Sequence, residues 1–121
     1  MTTSDLTTTG VRIRDNTAVI DLAGDINAKA EASLESAWEE AIASSPQAVV
    51  LNFENAGYIN STGIALVVTM LAKARARGVP MRAFGLTPHY REIFEITRLA
   101  DFLAINPDEE SAVTGAEGSS R

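Results

Sequence analysis

The 121-residue chain contains no cysteine, one histidine and no apolar run near the roughly 20 residues of a membrane-spanning helix. Without cysteine it forms no disulfide and offers no thiol nucleophile or thiolate ligand. With His89 as its only histidine, it lacks the side chains for a Ser–His–Asp triad or a zinc cluster. We therefore predict that the protein is not an enzyme and uses no metal or cofactor.

Positive charge is also scarce in this chain. Ten Lys and Arg residues against 16 Asp and Glu give a net charge of −6, which argues against nucleic acid or an anionic membrane as partner. The hydrophobic fraction of 45% and the length are typical of one folded domain. Because residues 1–5 lack the basic and apolar regions of a signal peptide, we expect a cytoplasmic protein. We also expect it to be a monomer or a weak dimer.

The order of apolar patterns predicts an α/β fold in which a small mixed β-sheet is packed with amphipathic helices. Val11–Arg14 and Ala18–Leu22 have strand patterns and flank the turn dipeptide Asp15-Asn16, which indicates an antiparallel hairpin. The segment Gly24–Asn27 is then expected to leave the sheet. We place the folded domain at residues 10–106.

Helices are predicted where apolar residues recur with helical spacing. The first runs from Ala28 to about Ala43, with Asn27 as its cap, and has a stripe facing the core, consisting of Leu34, Trp38, Ala41 and Ile42. A later one, with Thr87 as its cap and Pro88 in its first turn, lies between strands predicted at residues 80–85 and 102–105. Residues 1–9 are predicted to be a flexible lead and residues 107–121, rich in acidic and small residues, a flexible tail.

The middle of the chain combines a buried strand with an amphipathic helix. Ala48–Phe53 is a β-branched apolar run, and a loop is predicted from Phe53 to Asn60. The helix that follows ends at Gly78, and its predicted core stripe comprises Ile64, Val67, Val68, Leu71 and Ala74. Ser61 and Thr62 fall at the start of this helix, where free N–H groups and the helix dipole favour a negative group.

Asn60-Ser61-Thr62-Gly63, between this strand and helix, resembles the [DN]-S-[ST]-G motif of the STAS domain of bacterial anti-sigma-factor antagonists. The resemblance extends from about Gly10 to Ile105 and includes Leu22–Ile26 and Leu86–Leu99. It implies that Ser61 is a phosphorylation site, with Thr62 as a second candidate. It also implies two protein partners: a serine-kinase anti-sigma factor, which uses ATP, and a phosphoserine phosphatase.

The same resemblance, together with the rule that ligands bind at the carboxyl ends of parallel strands, predicts a partner-binding surface around Ser61. Its expected members are Asp25, Ile26, Asn27, Tyr58, Ile59, Asn60, Thr62, Gly63, Ala65 and Thr69. Small residues at Ala65, Thr69, Ala72 and Ala76 would permit close approach of a partner, although alanine is also simply a good helix former. Ile26 and Ile59 are equally compatible with the core.

The sequence departs from the family pattern at Asn27 and Asn60, where the family usually has Asp. Slow phosphorylation, a stable phosphorylated form and loss of the switch all remain open. One alternative function is therefore a non-phosphorylated scaffold subunit of a larger regulatory or transport assembly. Another, small-ligand or nucleotide sensing, is disfavoured because Gly57–Gly63 lacks the lysine of a phosphate-binding loop.

Overall fold

Five strands form one mixed sheet in the computed structural model, which describes residues 7–115. The strands are β1 (Thr8–Arg14), β2 (Thr17–Ile26), β3 (Ala48–Ile59), β4 (Met81–Phe84) and β5 (Ala104–Asn106). They lie side by side in chain order, with β1 antiparallel to β2 and the remaining neighbours parallel. The predicted α/β class with a small mixed sheet is therefore confirmed.

Four α-helices accompany the sheet in the described part of the chain. They are α1 (Glu31–Ile42), α2 (Ser61–Arg77), α3 (Pro88–Ile96) and α4 (Glu109–Thr114), with 3₁₀ turns at Ala28–Ala30 and Leu99–Asp101. None of the helices within residues 7–115 is both long and apolar enough to cross a bilayer.

The hairpin between β1 and β2 forms at the predicted turn. Asp15 and Asn16 adopt left-handed conformations, with φ of 49° and 64°, which these two residue types tolerate well. Strand β1 is longer than predicted, since Thr8 and Thr9 pair with β2 although they belong to the predicted flexible lead. Residues 1–6 of that lead lie outside the described residues.

Strands β2 and β3 also continue beyond the predicted positions. Gly24–Ile26 does not leave the sheet, and most of the predicted loop from Phe53 to Asn60 is strand. The two extensions pair with each other, and register shifts after Asp21 and after Gly24 accommodate their irregular sequences. Both predictions were wrong because each extension is stabilised by the other strand, which lies far away in the sequence.

The main hydrophobic core lies between the inner face of the sheet and helices α1, α2 and α3. The predicted residues Leu34, Trp38 and Ala41 are buried in it, whereas Ile42 is only partly buried. On α2 the prediction for Val68 is wrong, because its side chain is 43% exposed and Met70 is buried instead. One residue advances the helix by about 100°, so Val68 falls outside the arc around Val67 that faces the sheet.

The outer face of the sheet is covered by α4, which contradicts the prediction of a flexible tail for residues 109–114. Ala112 and Val113 pack on an apolar strip formed by Val19, Val50 and Phe84. The side chain of Asp108 caps this short helix by accepting a hydrogen bond from the backbone N–H of Ser111. The composition of this segment did not indicate a helix, because its two buried residues are close to acidic ones. Residues 116–121 lie outside the described residues.

Ion pairs join α4 to β1, and a further pair joins β1 to β2. The Arg12 guanidinium binds Asp21 (Nε–Oδ2 2.6 Å) and Glu109 (Nη2–Oε1 3.0 Å), and Arg14 binds Glu109 and Glu110. Hydrogen bonds from Arg12 lower the pKa of Asp21, and those from Arg12 and Arg14 lower the pKa of Glu109.

Acid is expected to weaken this attachment. Because both carboxyl pKa values are lower in the folded state, their contribution to stability is present above the unfolded-state values near 4 and is lost as the pH falls through the folded-state values. We expect the urea midpoint of unfolding to decrease from about pH 6 to about pH 3, and to decrease less in Arg12→Gln. Equal decreases in both proteins would contradict the assignment.

Candidate functional site

Ser61 is the first residue of α2 and is exposed. Asn60 precedes it in an extended conformation, and its side-chain oxygen accepts a hydrogen bond from Gly63 N at 2.8 Å. Thr62 is exposed beside Ser61. Both hydroxyls therefore lie at the positive end of a 17-residue helix, where added negative charge is electrostatically favourable.

Gly63 allows the first turn of α2 to approach the end of β2. A Cβ atom at this position would lie only 2.1 Å from the backbone oxygen of Ile26. Asn60 N also donates a hydrogen bond to that oxygen, at 3.3 Å. The glycine of the motif is thus required by contact with backbone atoms of another element.

Asp25 joins the ends of β2 and β3. Its carboxylate Oδ1 accepts a hydrogen bond from Tyr58 N at 2.8 Å, and its backbone oxygen accepts one from the hydroxyl of Thr7. A Cβ at Gly57 would lie 2.4 Å from Asp25 Oδ1, so a larger residue there would displace this carboxylate. The segments around Asp25 and Tyr58, 33 residues apart in sequence, are therefore adjacent at the same edge of the sheet as Asn60.

The residues predicted for the partner surface differ in exposure: Asp25, Asn27 and Asn60 are partly buried, and Gly63 is buried. Tyr58 is 67% exposed, and the α2 residues Thr62, Ala65 and Thr69 are exposed together with Ala72 and Ala76. Ile26 and Ile59 are instead 0% and 4% exposed. Their side chains belong to the core. Of the two alternatives that the sequence left open for them, core residue or partner anchor, the structure therefore supports the first.

Asn27 has a local structural role in the described structure. Its side chain caps the 3₁₀ turn that leads into α1, accepting a hydrogen bond from Lys29 N at 3.0 Å. The predicted capping role is confirmed, although the turn is 3₁₀ and α1 itself begins at Glu31.

Two residues that support this edge are not among the predicted site residues. The hydroxyl of Tyr90, on α3, accepts a hydrogen bond from Ile59 N at 2.9 Å and so links α3 to the end of β3. Asn52, 7% exposed on β3, donates to Asp21 and accepts from Glu54 N. The Tyr90–Ile59 and Asn52–Asp21 contacts each join segments that only the fold brings together, whereas the bond between Asn52 and Glu54 is local. A polar residue in a buried strand was the one available signal for Asn52.

A separate open cleft of about 550 Å³ lies near the carboxyl ends of β4 and β5. It is lined by Glu54, Gly85, Leu86, Arg91, Glu95, Ile105, Asn106 and Pro107. Within residues 7–115, no three His, Cys, Asp or Glu side chains converge as a metal site would require.

The chain matches the model of the STAS domain over residues 9–112, which include nearly the whole sheet and most of α4. This match covers most of the sequence, and the chain belongs to the STAS domain family. No curated protein matches the chain significantly.

Solved structures share the fold at low sequence identity. An anti-sigma factor antagonist from Mycobacterium paratuberculosis is 21% identical, with a TM-score of 0.78 over 97% of this chain and 99% of that one. The anti-sigma factor antagonist SpoIIAA in its unphosphorylated form is 18% identical (TM-score 0.69; 93% and 99% covered). SpoIIAA from Bacillus in its phosphorylated form is 21% identical (TM-score 0.68; 90% and 99% covered).

Proposed function

We propose that this protein is a phosphorylation-controlled binding module of the anti-sigma-factor antagonist type. In its unmodified form it binds a serine-kinase anti-sigma factor and thereby frees the sigma factor. Phosphorylation of Ser61 by that kinase ends the association, and a phosphoserine phosphatase restores it. The protein acts in the cytoplasm, as a partner and substrate of enzymes and not as an enzyme itself.

The observation that carries this proposal is the position of the Ser61 hydroxyl. It is exposed at the start of α2, three residues after the exposed Tyr58 and at one end of an exposed row of small residues on α2. The row comprises Ala65, Thr69, Ala72 and Ala76, which lose little side-chain entropy when a partner covers them. Tyr58 supplies a large side chain of the kind that anchors interfaces. The hydroxyl is thus both accessible to a kinase and close to a surface suited to docking.

The covalent step is a simple phosphoryl transfer. The γ-phosphoryl group of ATP is transferred to Ser61 Oγ, the hydroxyl proton is taken up by a base of the kinase, and ADP leaves. The product carries about −1.5 to −2 charges at neutral pH. The start of α2 accommodates this charge, whereas a partner would have to desolvate it. Binding is therefore lost without a rearrangement of the fold.

Phosphorylation of Ser61 is tested by incubating the protein with its kinase and ATP. We expect one phosphate per chain in the wild type and in Thr62→Ala, and none in Ser61→Ala, as measured by mass spectrometry. Thr62→Ala is the matched control, because it removes the neighbouring exposed hydroxyl. Label retained in Ser61→Ala and lost in Thr62→Ala would move the site to Thr62.

A scaffold function without phosphorylation is the second candidate, and Asn60 is the observation that favours it. The family usually has Asp at this position. An aspartate would cap α2 in the same way as the Asn60 side-chain oxygen, so the cap does not explain the amide. Loss of a carboxylate that assists phosphorylation would explain it. Wild-type protein that binds its partner yet accepts no phosphate would favour this candidate.

A further inference from the structure

A continuous set of polar contacts connects α4 with the inside of the β2–β3 ladder. Glu109 accepts two hydrogen bonds from Arg12, both at 3.0 Å, and Arg12 donates two to Asp21, at 2.6 and 2.8 Å. Asp21 Oδ1 also accepts from Asn52 Nδ2 at 2.7 Å, and Asn52 Oδ1 accepts from Glu54 N at 2.9 Å. We call this set the Glu109–Glu54 network.

The network ends where β2 and β3 change register. Asp21 is paired with Asn52, whereas the next paired residue of β2, Ala23, is opposite Asn55. Two residues of β3, Phe53 and Glu54, therefore stand opposite one of β2. At such a bulge the extra backbone group lacks its ordinary ladder partner. The side chain of Asn52 provides one for Glu54 N and so fixes the bulge.

The bulge sets the course of the strand ends that form the candidate site. Beyond it, β3 continues to Tyr58, whose N–H is bound by Asp25, and then to Asn60 at the start of α2. The direction of this segment depends on the geometry of the bulge, because a bulge bends its strand and increases the local twist.

Helix α4 is held partly by contacts that salt weakens. It has six residues and buries Ala112 and Val113, and the Ala112 carbonyl accepts a hydrogen bond from Arg82 Nε at 2.6 Å. Its ion pairs are partly exposed, with side-chain exposures of 43% for Arg12 and 25% for Glu109. Such pairs are weakened by salt, whereas the buried apolar contacts are not.

From these contacts we infer that docking of α4 controls the order of the β2–β3 bulge and, through it, of the surface around Ser61. Arg12 and Asn52 act as positioning residues: neither needs to contact a partner. Release of α4 by salt, or by a partner that competes for Glu109, loosens the segment from Glu54 to Asn60. The consequence for partner binding rests on the proposed function, whereas the coupling itself is a property of the isolated chain.

Hydrogen exchange of the full-length protein tests this coupling without any partner. The change is Glu109→Gln, which removes the charge that binds Arg12 and keeps the shape of the side chain. We expect exchange of the Glu54 and Tyr58 amides to increase about threefold, as for loss of a partly exposed ion pair. Raising the salt concentration from about 50 mM to about 500 mM should have the same effect in the wild type and a smaller one in the variant.

Glu110→Gln is the matched control. Glu110 is adjacent on α4, but its side chain is 73% exposed and binds Arg14, which is joined to the network through Glu109 and makes no contact with Asn52 or Glu54. Little change at Glu54 and Tyr58 is expected in this variant. The inference is overturned if Glu109→Gln accelerates exchange in α4 alone, or if both variants affect Glu54 equally. Because no kinase or phosphate is involved, failure of the proposed function at Ser61 would leave this result unaffected, and the converse also holds.

Discussion

Ser61→Asp is expected to weaken binding to the proposed partner, a serine-kinase anti-sigma factor, about a hundredfold, which corresponds to about 2.7 kcal/mol. The new carboxylate remains compatible with folding, because it lies at the positive end of α2. In the proposed complex this carboxylate would lose its hydrating water without gaining a cationic partner, and the free energy of that desolvation would reduce the affinity. Isothermal titration calorimetry with the purified partner measures this difference directly.

Ser45→Asp provides the matched control for added charge. Ser45 is an exposed serine before the amino end of β3, at the opposite end of that strand from Ser61. It has φ of 51°, a conformation that aspartate tolerates. Affinity is expected to stay within about twofold of the wild type, since rim or distant charges contribute little. If Ser61→Asp bound as tightly as Ser45→Asp, the docking surface would have to lie elsewhere.

Gly63→Ala is expected to destabilise the protein by about 3 kcal/mol or more. Helix propensity alone predicts the opposite, a gain of up to about 1 kcal/mol for alanine over glycine within a helix. Steric contact dominates because the added methyl group would lie 2.1 Å from the backbone oxygen of Ile26, and this strand end cannot move freely. Urea denaturation followed by circular dichroism distinguishes the two predictions, because they give opposite signs for the change in the free energy of unfolding.

Gly10→Ala is the corresponding control, because a Cβ at Gly10 on β1 would have nothing within 4 Å. Its stability is expected to remain within about 0.5 kcal/mol of the wild type, as for other surface changes. A Gly63→Ala protein as stable as Gly10→Ala would show that α2 is able to shift away from β2. Partner binding should then be measured in the same variant, since such a shift would also move Ser61.

Features that depend on a few neighbouring residues could be predicted from the sequence. The left-handed turn at Asp15-Asn16, the caps at Asn27 and Thr87 and the glycine stop at Gly78 all form as predicted. Each of them satisfies backbone groups through a side chain or a conformation available nearby. The same local logic placed Ser61 at the start of its helix.

Features that depend on distant partners could not be predicted in this way. The extension of β2 to Ile26 exists because β3 pairs with it, and the burial of Ile26 follows from that pairing. Helix α4 depends on Arg12, 97 residues before Glu109, and on an apolar strip drawn from three strands. Neither hydropathy nor composition near residue 110 contains this information. The family resemblance predicted a site around Ser61, but it left the exposure of each side chain undetermined.

The position of α4 has a consequence for synthesis of the chain on the ribosome. Val19, Val50 and Phe84 belong to elements made well before residues 109–114, so a nascent sheet would present this apolar strip uncovered until the final helix emerges. Apolar surface exposed in this way favours aggregation and is the kind of surface that chaperones recognise. Premature termination before residue 109 would therefore leave a protein that still contains Ser61 but exposes this apolar strip permanently.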